Sequence, residues 1–279
     1  MRYFVFISYI FGLLTLIPVP SSSQSARNLL SYWQFNGDYK DATGNGHDGR
    51  KIGNVKFVDS KAPVRKAGEA VKFTGQNGHF VEIRNSDDLR LTEQLSLVAW
   101  VNPTDAMPTQ FCCGVPYDQG RNWDNPWVGH QIGVRNGGMA TWLSLDGKAP
   151  GPGGREGGGP DGDDADWEYD AGSIGSGEWT HIAFIFTGKE AISYINGDEV
   201  ARHKDRKGEI AFDGKPLFVI GERSSAAPGE PFNGLIDEVA LFDVALSKVQ
   251  LRNFMTNSIK LSVNRRDRLT TSWALIKSD

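Results

Sequence analysis

The 279-residue sequence has two cysteines, and they are neighbours, Cys112 and Cys113. Adjacent thiols cannot staple distant parts of a chain, and a bridge between them is strained away from the preferred Cα separation of ~5.5 Å. The fold must therefore stand on its core. Neither a disulfide framework nor a cysteine-based metal or redox site is expected. A vicinal disulfide that rigidifies a loop is the alternative to a pair of small residues at a strand end. Histidine is scarce too: the five, at positions 47, 79, 130, 181 and 203, show no H-E-x-x-H spacing. There is no G-x-S-x-G elbow, and the glycines of Gly151 to Gly159 lack the Gly-Lys-Ser/Thr ending of a phosphate loop. Positive charge is not in excess. Thirty Lys and Arg stand against 34 Asp and Glu, a net charge of −4, so no nucleic-acid partner is expected. No repeat of solenoid or propeller type occurs.

One long apolar run is present, at the start. Arg2 is followed by the apolar stretch Tyr3 to Ile17, then Pro18-Val19-Pro20 and Ser21 to Ser23. This reads as a signal peptide over residues 1–23, shorter than the ~20 residues that cross a bilayer as a helix. An uncleaved anchor is the alternative. No later segment is long and apolar enough to span, so the expected location is secreted or extracytoplasmic, with no membrane span after signal removal. Residues 24–279 are enough to bury a sizeable core and are read as a single domain.

From residue 30 onward short apolar segments alternate with turn residues. Leu30 to Phe35, Ala70 to Phe73, Phe80 to Ile83, Leu95 to Val101, Trp179 to Phe186, Leu217 to Gly221 and Leu235 to Phe242 read as strands. Ile192 to Arg202 reads as a hairpin around Asn196-Gly197, the pair that suits a type I′ turn because both positions need positive φ. Many short strands without intervening long helices disfavour a parallel α/β fold and predict an all-β sandwich or jelly roll. One short helix is expected near the C-terminus. Ser247 and Gln250 form a capping box, and Val249, Leu251, Phe254 and Met255 give an apolar face. The Gly- and Asp-rich stretch 149–170 reads as a long exposed loop, and 258–279 as a C-terminal tail without a clear assignment.

Several of these segments resemble laminin G-like jelly-roll domains of the concanavalin A-like lectin/glucanase superfamily. Tyr32 to Asp38 with Asp41 to Gly49 resembles the first-strand signature, and Phe73, Gly75 and Phe80 to Ile83 the next strand pair. Leu95 to Pro103 is similar to the central strand, Glu178 to Ala183 with Tyr194 to Gly197 to the late hairpin, and Gly234 to Val239 with Ala245 to Ser247 to the closing strand and helix. Together they cover roughly residues 30 to 256. The long segment 109–176 and the tail depart from the pattern. The resemblance implies a two-sheet antiparallel sandwich that binds a glycan, an extracellular protein or a structural calcium ion.

Calcium takes six to eight oxygen ligands. Asp38, Asp41 and Asn45 share one Gly-rich turn, and the resemblance brings Asp237 from the closing strand to it. The alternative is that these residues cap their own turn. His47, in the same turn, is a poor calcium ligand and is left out of the set. Glycan binding needs aromatic faces with neighbouring polar groups. The segment 117–127 is dense in both, and Tyr117, Arg121, Trp123, Asp124, Trp127 and Trp142 are the candidate ligand residues. The alternative is that these aromatics pack a loop on the sandwich, whereas Trp33, Trp100 and Trp179 lie within strands and read as core. A retaining glycosidase needs two carboxyl groups ~5 Å apart. The nearest match, Asp164-Ala165-Asp166-Trp167-Glu168, follows a Gly-rich loop rather than lying in an apolar strand. The chain therefore reads as a binding module and not an enzyme: first a lectin-like carbohydrate-binding module with a structural calcium, second an adhesion domain for a protein partner, with hydrolysis a distant third.

Overall fold

The computed structural model describes residues 28–64, 68–84, 86–104, 114–119, 129–145, 168–204, 207–212, 217–223 and 230–257. In chain order its strands are β1 (Leu29–Trp33), β2 (Gly49–Ile52), β3 (Lys56–Asp59), β4 (Glu69–Thr74), β5 (Phe80–Ile83), β6 (Leu95–Pro103), β7 (Gly114–Gln119) and β8 (His130–Arg135). They continue as β9 (Gly138–Leu143), β10 (Glu168–Ala171), β11 (Thr180–Phe186), β12 (Ala191–Ile195), β13 (Asp198–His203), β14 (Phe218–Ile220) and β15 (Asn233–Phe242). A helix, α1 (Lys248–Thr256), follows, and a 3-10 turn at Asp87–Leu89 joins β5 to β6.

The strands form two antiparallel sheets, as the alternating sequence pattern predicts. One has eight strands in the order β13-β12-β11-β6-β15-β4-β3, with β1 also on β15; the other has seven, β10-β9-β8-β7-β14-β5-β2. Side chains alternate across a strand. Leu97, Ala99, Val101, Ile182, Phe184 and Phe186 from the larger sheet therefore meet Val81, Ile83, Ile132, Val134, Phe218 and Ile220 from the smaller one in the core. The intervening residues of the larger sheet, among them Val98, Ala183 and Ile185, form a second cluster with Leu251 and Phe254 of α1. Strands β6 and β11 are thus buried on both faces. That is why they read as nearly continuous apolar runs rather than as alternation. Trp33 and Trp100 are buried, as expected for core positions, while Trp179 is half-buried.

Local chemistry accounts for the connections. Asn196 and Gly197 take φ 51° and 75°, closing the expected hairpin. Asn136 and Gly137 do the same between β8 and β9, at φ 48° and 72°, a hairpin the strand reading missed. Strands β2 and β3 were missed as well, being four residues each and rich in Lys, Arg and Asp. β10 shortens the expected 149–170 loop: its backbone adds to the edge of β9, with Glu168 opposite Thr141. The Ser247 capping box forms as predicted, with Ser247 Oγ accepting from the Gln250 N–H and Gln250 Oε1 from the Ser247 N–H at 2.9 Å. Leu251 and Phe254 are buried, but Val249 lies off their stripe and is 57% exposed, which corrects the expected helix face. Residues 1–23, Cys112, Cys113 and the tail 258–279 lie outside the described residues. No helix among the described residues is long and apolar enough to cross a membrane.

Gly221 shows how tightly the sheets close. It sits just past β14 at φ +97°, and a Cβ there would collide with the Phe73 ring. Gly221→Ala should therefore lower unfolding free energy by about 3 kcal/mol, combining overpacking with left-handed backbone strain. Ser247→Ala, which removes only a helix cap, should cost about 1 kcal/mol. Equal losses in urea titrations of the two variants would contradict the packing described.

Candidate functional site

The turn after β1 is organised around Asp41. Its Oδ1 accepts hydrogen bonds from the Tyr32 N–H (3.0 Å), the Thr43 N–H (3.0 Å) and the Thr43 hydroxyl (2.7 Å). Its Oδ2 accepts from the His47 N–H at 3.4 Å and lies 3.5 Å from His47 Nδ1. Burial alone would raise this carboxyl, but the His47 and Thr43 hydrogen bonds together outweigh it and hold Asp41 below the usual carboxylate range. The expected calcium ligands around it are occupied in the same local way. Asp38 accepts from the Lys40 N–H at 3.1 Å, and Asn45 donates through Nδ2 to the Leu30 carbonyl at 2.8 Å.

Asp237 belongs to a different network. It is fully buried in β15, accepting from the Ser60 hydroxyl at 2.5 Å and from the Glu238 N–H at 2.8 Å. Burial pushes its carboxyl up to about 7 against those hydrogen bonds, and pushes Glu238 up to about 8. Glu238 Oε2 is buried without a hydrogen-bond partner. Tested as one calcium set, the four residues divide. A carboxylate offers about four lone-pair positions, and Asp41 already meets five donor groups, so the turn does not fit the ion. The Asp237–Glu238 step offers a cation one unpartnered buried oxygen, Glu238 Oε2, next in the chain to the buried Asp237. Among the described residues no three His, Cys, Asp or Glu side chains cluster to hold a metal.

His47 joins the turn to the rest of the fold. Its Nδ1 is 2.6 Å from Ser31 Oγ, and its Nε2 is 3.1 Å from each carboxylate oxygen of Asp88. Hydroxyl, imidazole and carboxylate stand in the order that nucleophilic catalysis uses. Ser31, however, is 0% exposed, so no substrate reaches its oxygen, and the arrangement holds structure. Of the carboxylates considered for glycosidase chemistry, Glu168 lies in β10, while Asp164 and Asp166 lie outside the described residues.

The candidate ligand residues fall on the seven-stranded sheet as far as they are described. Trp142 in β9 stands opposite Gln131 in β8, Gln131 opposite Asp118 in β7, and Asp118 opposite Val219 in β14. Val219 in turn faces Glu82 in β5, and Glu82 faces Arg50 in β2. Gln131 lies on the face of β8 away from Ile132 and Val134, hence away from the core. Its Nε2 donates to Glu230 Oε2 at 3.4 Å, and Glu230 Oε1 accepts from Arg223 Nη1 at 3.0 Å. Gln131, Arg223 and Glu230 are all under a tenth exposed, while Arg50 and Glu82 pair nearer the surface at 2.7 Å. Tyr117 occupies the alternate register, opposite the core residues Ile132 and Ile220. Arg121, Trp123, Asp124 and Trp127 lie outside the described residues. Sequence reasoning missed Gln131, Arg223 and Glu230; the one available signal was the polar position alternating with Ile132 and Val134.

Domain 4 of AbnA, a GH43 extracellular arabinanase from Geobacillus stearothermophilus, solved in complex with arabinotriose, superposes with a TM-score of 0.58 at 23% identity, over 82% of this chain and 98% of that one. The binding domain of Paraclostridial Mosquitocidal Protein 1 gives 0.57 at 17% identity, over 83% and 52%. The botulinum neurotoxin serotype D binding domain gives 0.56 at 14% identity, over 84% and 52%. The chain thus spans about half the length of the two toxin domains. At these identities the likeness is one of fold. Comparison with curated proteins gives no match. Residues 74–252 match the Laminin_G_3 model, described as the concanavalin A-like lectin/glucanases superfamily, and the chain belongs to that family.

Proposed function

We propose that this chain is a secreted, non-catalytic carbohydrate-binding module whose ligand lies across the seven-stranded sheet. One observation carries the reading: the cross-strand row Trp142, Gln131, Asp118, Val219, Glu82, Arg50. It places Trp142 in line with the carboxylates Asp118 and Glu82, residue types that stack on sugar rings and bond their hydroxyls, while Gln131 and Val219 between them are buried. Its five interstrand steps span about 24 Å, suited to an extended oligosaccharide. The arabinotriose held by the AbnA domain supports the same ligand class. Secretion rests on the Arg2 and Tyr3 to Ile17 leader pattern. The adhesion alternative requires an apolar patch, and the described residues expose one large apolar side chain, Val249.

A calcium ion forms part of this proposal at Asp237, not in the Asp41 turn. Support comes from the buried acids at 237 and 238 and from the unpartnered Glu238 Oε2. A carboxyl raised in the folded state contributes stability at low pH that is lost as pH rises through its folded value. For Asp237 that value is about 7. A bound cation would remove that loss.

Two measurements test these statements. Binding of the mature chain to a glycan array should be saturable for one glycan class. Trp142→Ala should then weaken it by about tenfold, or ~1.4 kcal/mol. A blank array, with and without calcium, would reject the carbohydrate reading in favour of a protein partner. Calcium at about one hundred times its Kd should add about 2.7 kcal/mol of stability, more at alkaline than at acidic pH, and Asp237→Asn should abolish the gain. A melting temperature indifferent to calcium and chelator removes the ion.

A further inference from the structure

Six Asn-Gly steps punctuate the sequence, at Asn36, Asn45, Asn77, Asn136, Asn196 and Asn233. Such a step can close on itself, because glycine has no side chain to keep its backbone nitrogen away from the amide carbon of the preceding asparagine. The fold sorts the six by what holds each amide. Asn36 Oδ1 accepts from the Glu69 N–H at 3.0 Å, Asn45 Nδ2 donates to the Leu30 carbonyl at 2.8 Å, and Asn196 Oδ1 accepts from the His181 N–H at 2.9 Å. Asn233 opens β15, opposite Thr74 in the ladder. Asn77 and Asn136 remain. Both are exposed, and among the described residues no hydrogen bond ties down either side chain.

These two steps differ at the nitrogen that would attack. The Gly78 N–H donates to Glu222 Oε2 at 2.7 Å, within reach of proton transfer. Among the described residues no carboxylate accepts from the Gly137 N–H. Glu222 lies just past β14, is 6% exposed, and meets the β4–β5 turn across 144 positions of sequence. His79 and Arg223 are the charged or titratable groups facing it. His79 Nδ1 is 2.8 Å from Thr74 Oγ1, and Arg223 pairs with Glu230. Burial raises the Glu222 carboxyl, outweighing the Gly78 and His79 backbone hydrogen bonds and those two charges, so it is a stronger base than a surface glutamate. The peptide it touches is fixed on its other side, since a Cβ on Gly53 would collide with the Gly78 carbonyl. Over Gly78 itself a Cβ would meet nothing within 4 Å, which leaves room for a ring and for water.

We propose that Asn77-Gly78 is a self-modification site, at which the chain deamidates itself with Glu222 as the base. Glu222 Oε2 takes the Gly78 amide proton as the Gly78 nitrogen bonds to Asn77 Cγ. The Cγ–Nδ2 bond then breaks, and ammonia leaves with that proton. The product is a cyclic succinimide, and water opens it. Addition at Cγ gives aspartate; addition at the main-chain carbonyl gives isoaspartate, in which the backbone runs through Cγ. Water is the one co-reactant. The planar peptide suits this division of roles: the proton leaves in the plane, toward Glu222, and the nitrogen attacks from the open face. Either product adds a carboxylate close to Glu222, on the turn that enters β5, the strand of Glu82. The reaction is independent of whether the seven-stranded sheet binds a glycan and of whether Asp237 holds calcium.

The test is to incubate the full chain across acidic to alkaline pH and to quantify aspartate and isoaspartate at positions 77 and 136 by peptide mapping. At neutral pH Asn77 should convert about tenfold faster than Asn136. The Asn136 rate should climb about tenfold per pH unit, as hydroxide catalysis requires, whereas the Asn77 rate should rise as Glu222 ionises and then level off toward neutrality. Glu222→Gln keeps the shape and an acceptor oxygen but removes the base, and it should slow Asn77 about tenfold relative to Asn136. Any general loosening of the fold moves both sites, so the ratio of the two rates reads Glu222 itself, and the pH profile of the unaltered chain reads it without a substitution. A carboxylate that merely clamps the turn gives the opposite result, a higher ratio in Glu222→Gln, and overturns the proposal. So does an Asn77 rate that is no faster than that of Asn136 at neutral pH, or one that follows the same slope with pH.

Discussion

Two strands share one edge of β15, and much of the molecule follows from that constraint. β6 pairs along the opposite edge. On the shared edge β4 takes Asn233 to Ile236, and β1 takes Val239 to Phe242. A single unbroken register does not serve both halves. The ladder with β6 breaks between Asp237 and Ala240, and Glu238 takes the left-handed φ of 52°. A bulge places an extra residue and redirects its neighbours. Here it carries Asp237 and Glu238 into the interior, where only Ser60 and one backbone N–H answer them. Buried unpaired acids are among the costliest features a core can hold. Their position at the joint between two partner strands makes the closing strand the seat of the proposed cation.

Legibility in the sequence followed the range of the interactions involved. The strands β6 and β11 were legible because burial on both faces leaves an unbroken apolar run. The helix was legible because its start depends on Ser247 and Gln250, three residues apart. Short, charged strands such as β2 and β3 gave no such pattern: their place is decided by pairing with β5 and β4. The β8–β9 hairpin differs, since Asn136-Gly137 carried the same turn signal as Asn196-Gly197. It lay in the segment where family likeness gave least support, and its strands are interrupted by polar residues.

The candidate sites follow the same rule. Asp41 could be seen as an acidic turn residue, and both roles weighed for it, ligand and cap, suit that composition. What separates them is a set of donors that includes His47, whose other nitrogen meets Asp88, 41 residues away. A contact at that separation is fixed by packing and is invisible to local spacing. The same holds for Gln131 and Glu230, 99 residues apart. Trp142, by contrast, was named from composition alone, and pairing then aligned it with Gln131.

The two sheets are not equivalent as surfaces for a ligand. The outer face of the eight-stranded sheet is taken by α1, whose Phe254 packs edge-on against Tyr32 and Phe242 at ring separations of 5.5 and 5.3 Å. The space between the sheets is core. The outer face of the seven-stranded sheet instead carries Gln131, Glu230 and Arg223, a polar network where apolar packing would be at least as stable. Replacing a buried ion pair by hydrophobic residues of similar volume is often neutral or favourable. Stability alone therefore gives no reason to keep charge there. α1 closes one face of the sandwich with hydrocarbon, and the face proposed for the ligand is the opposite one.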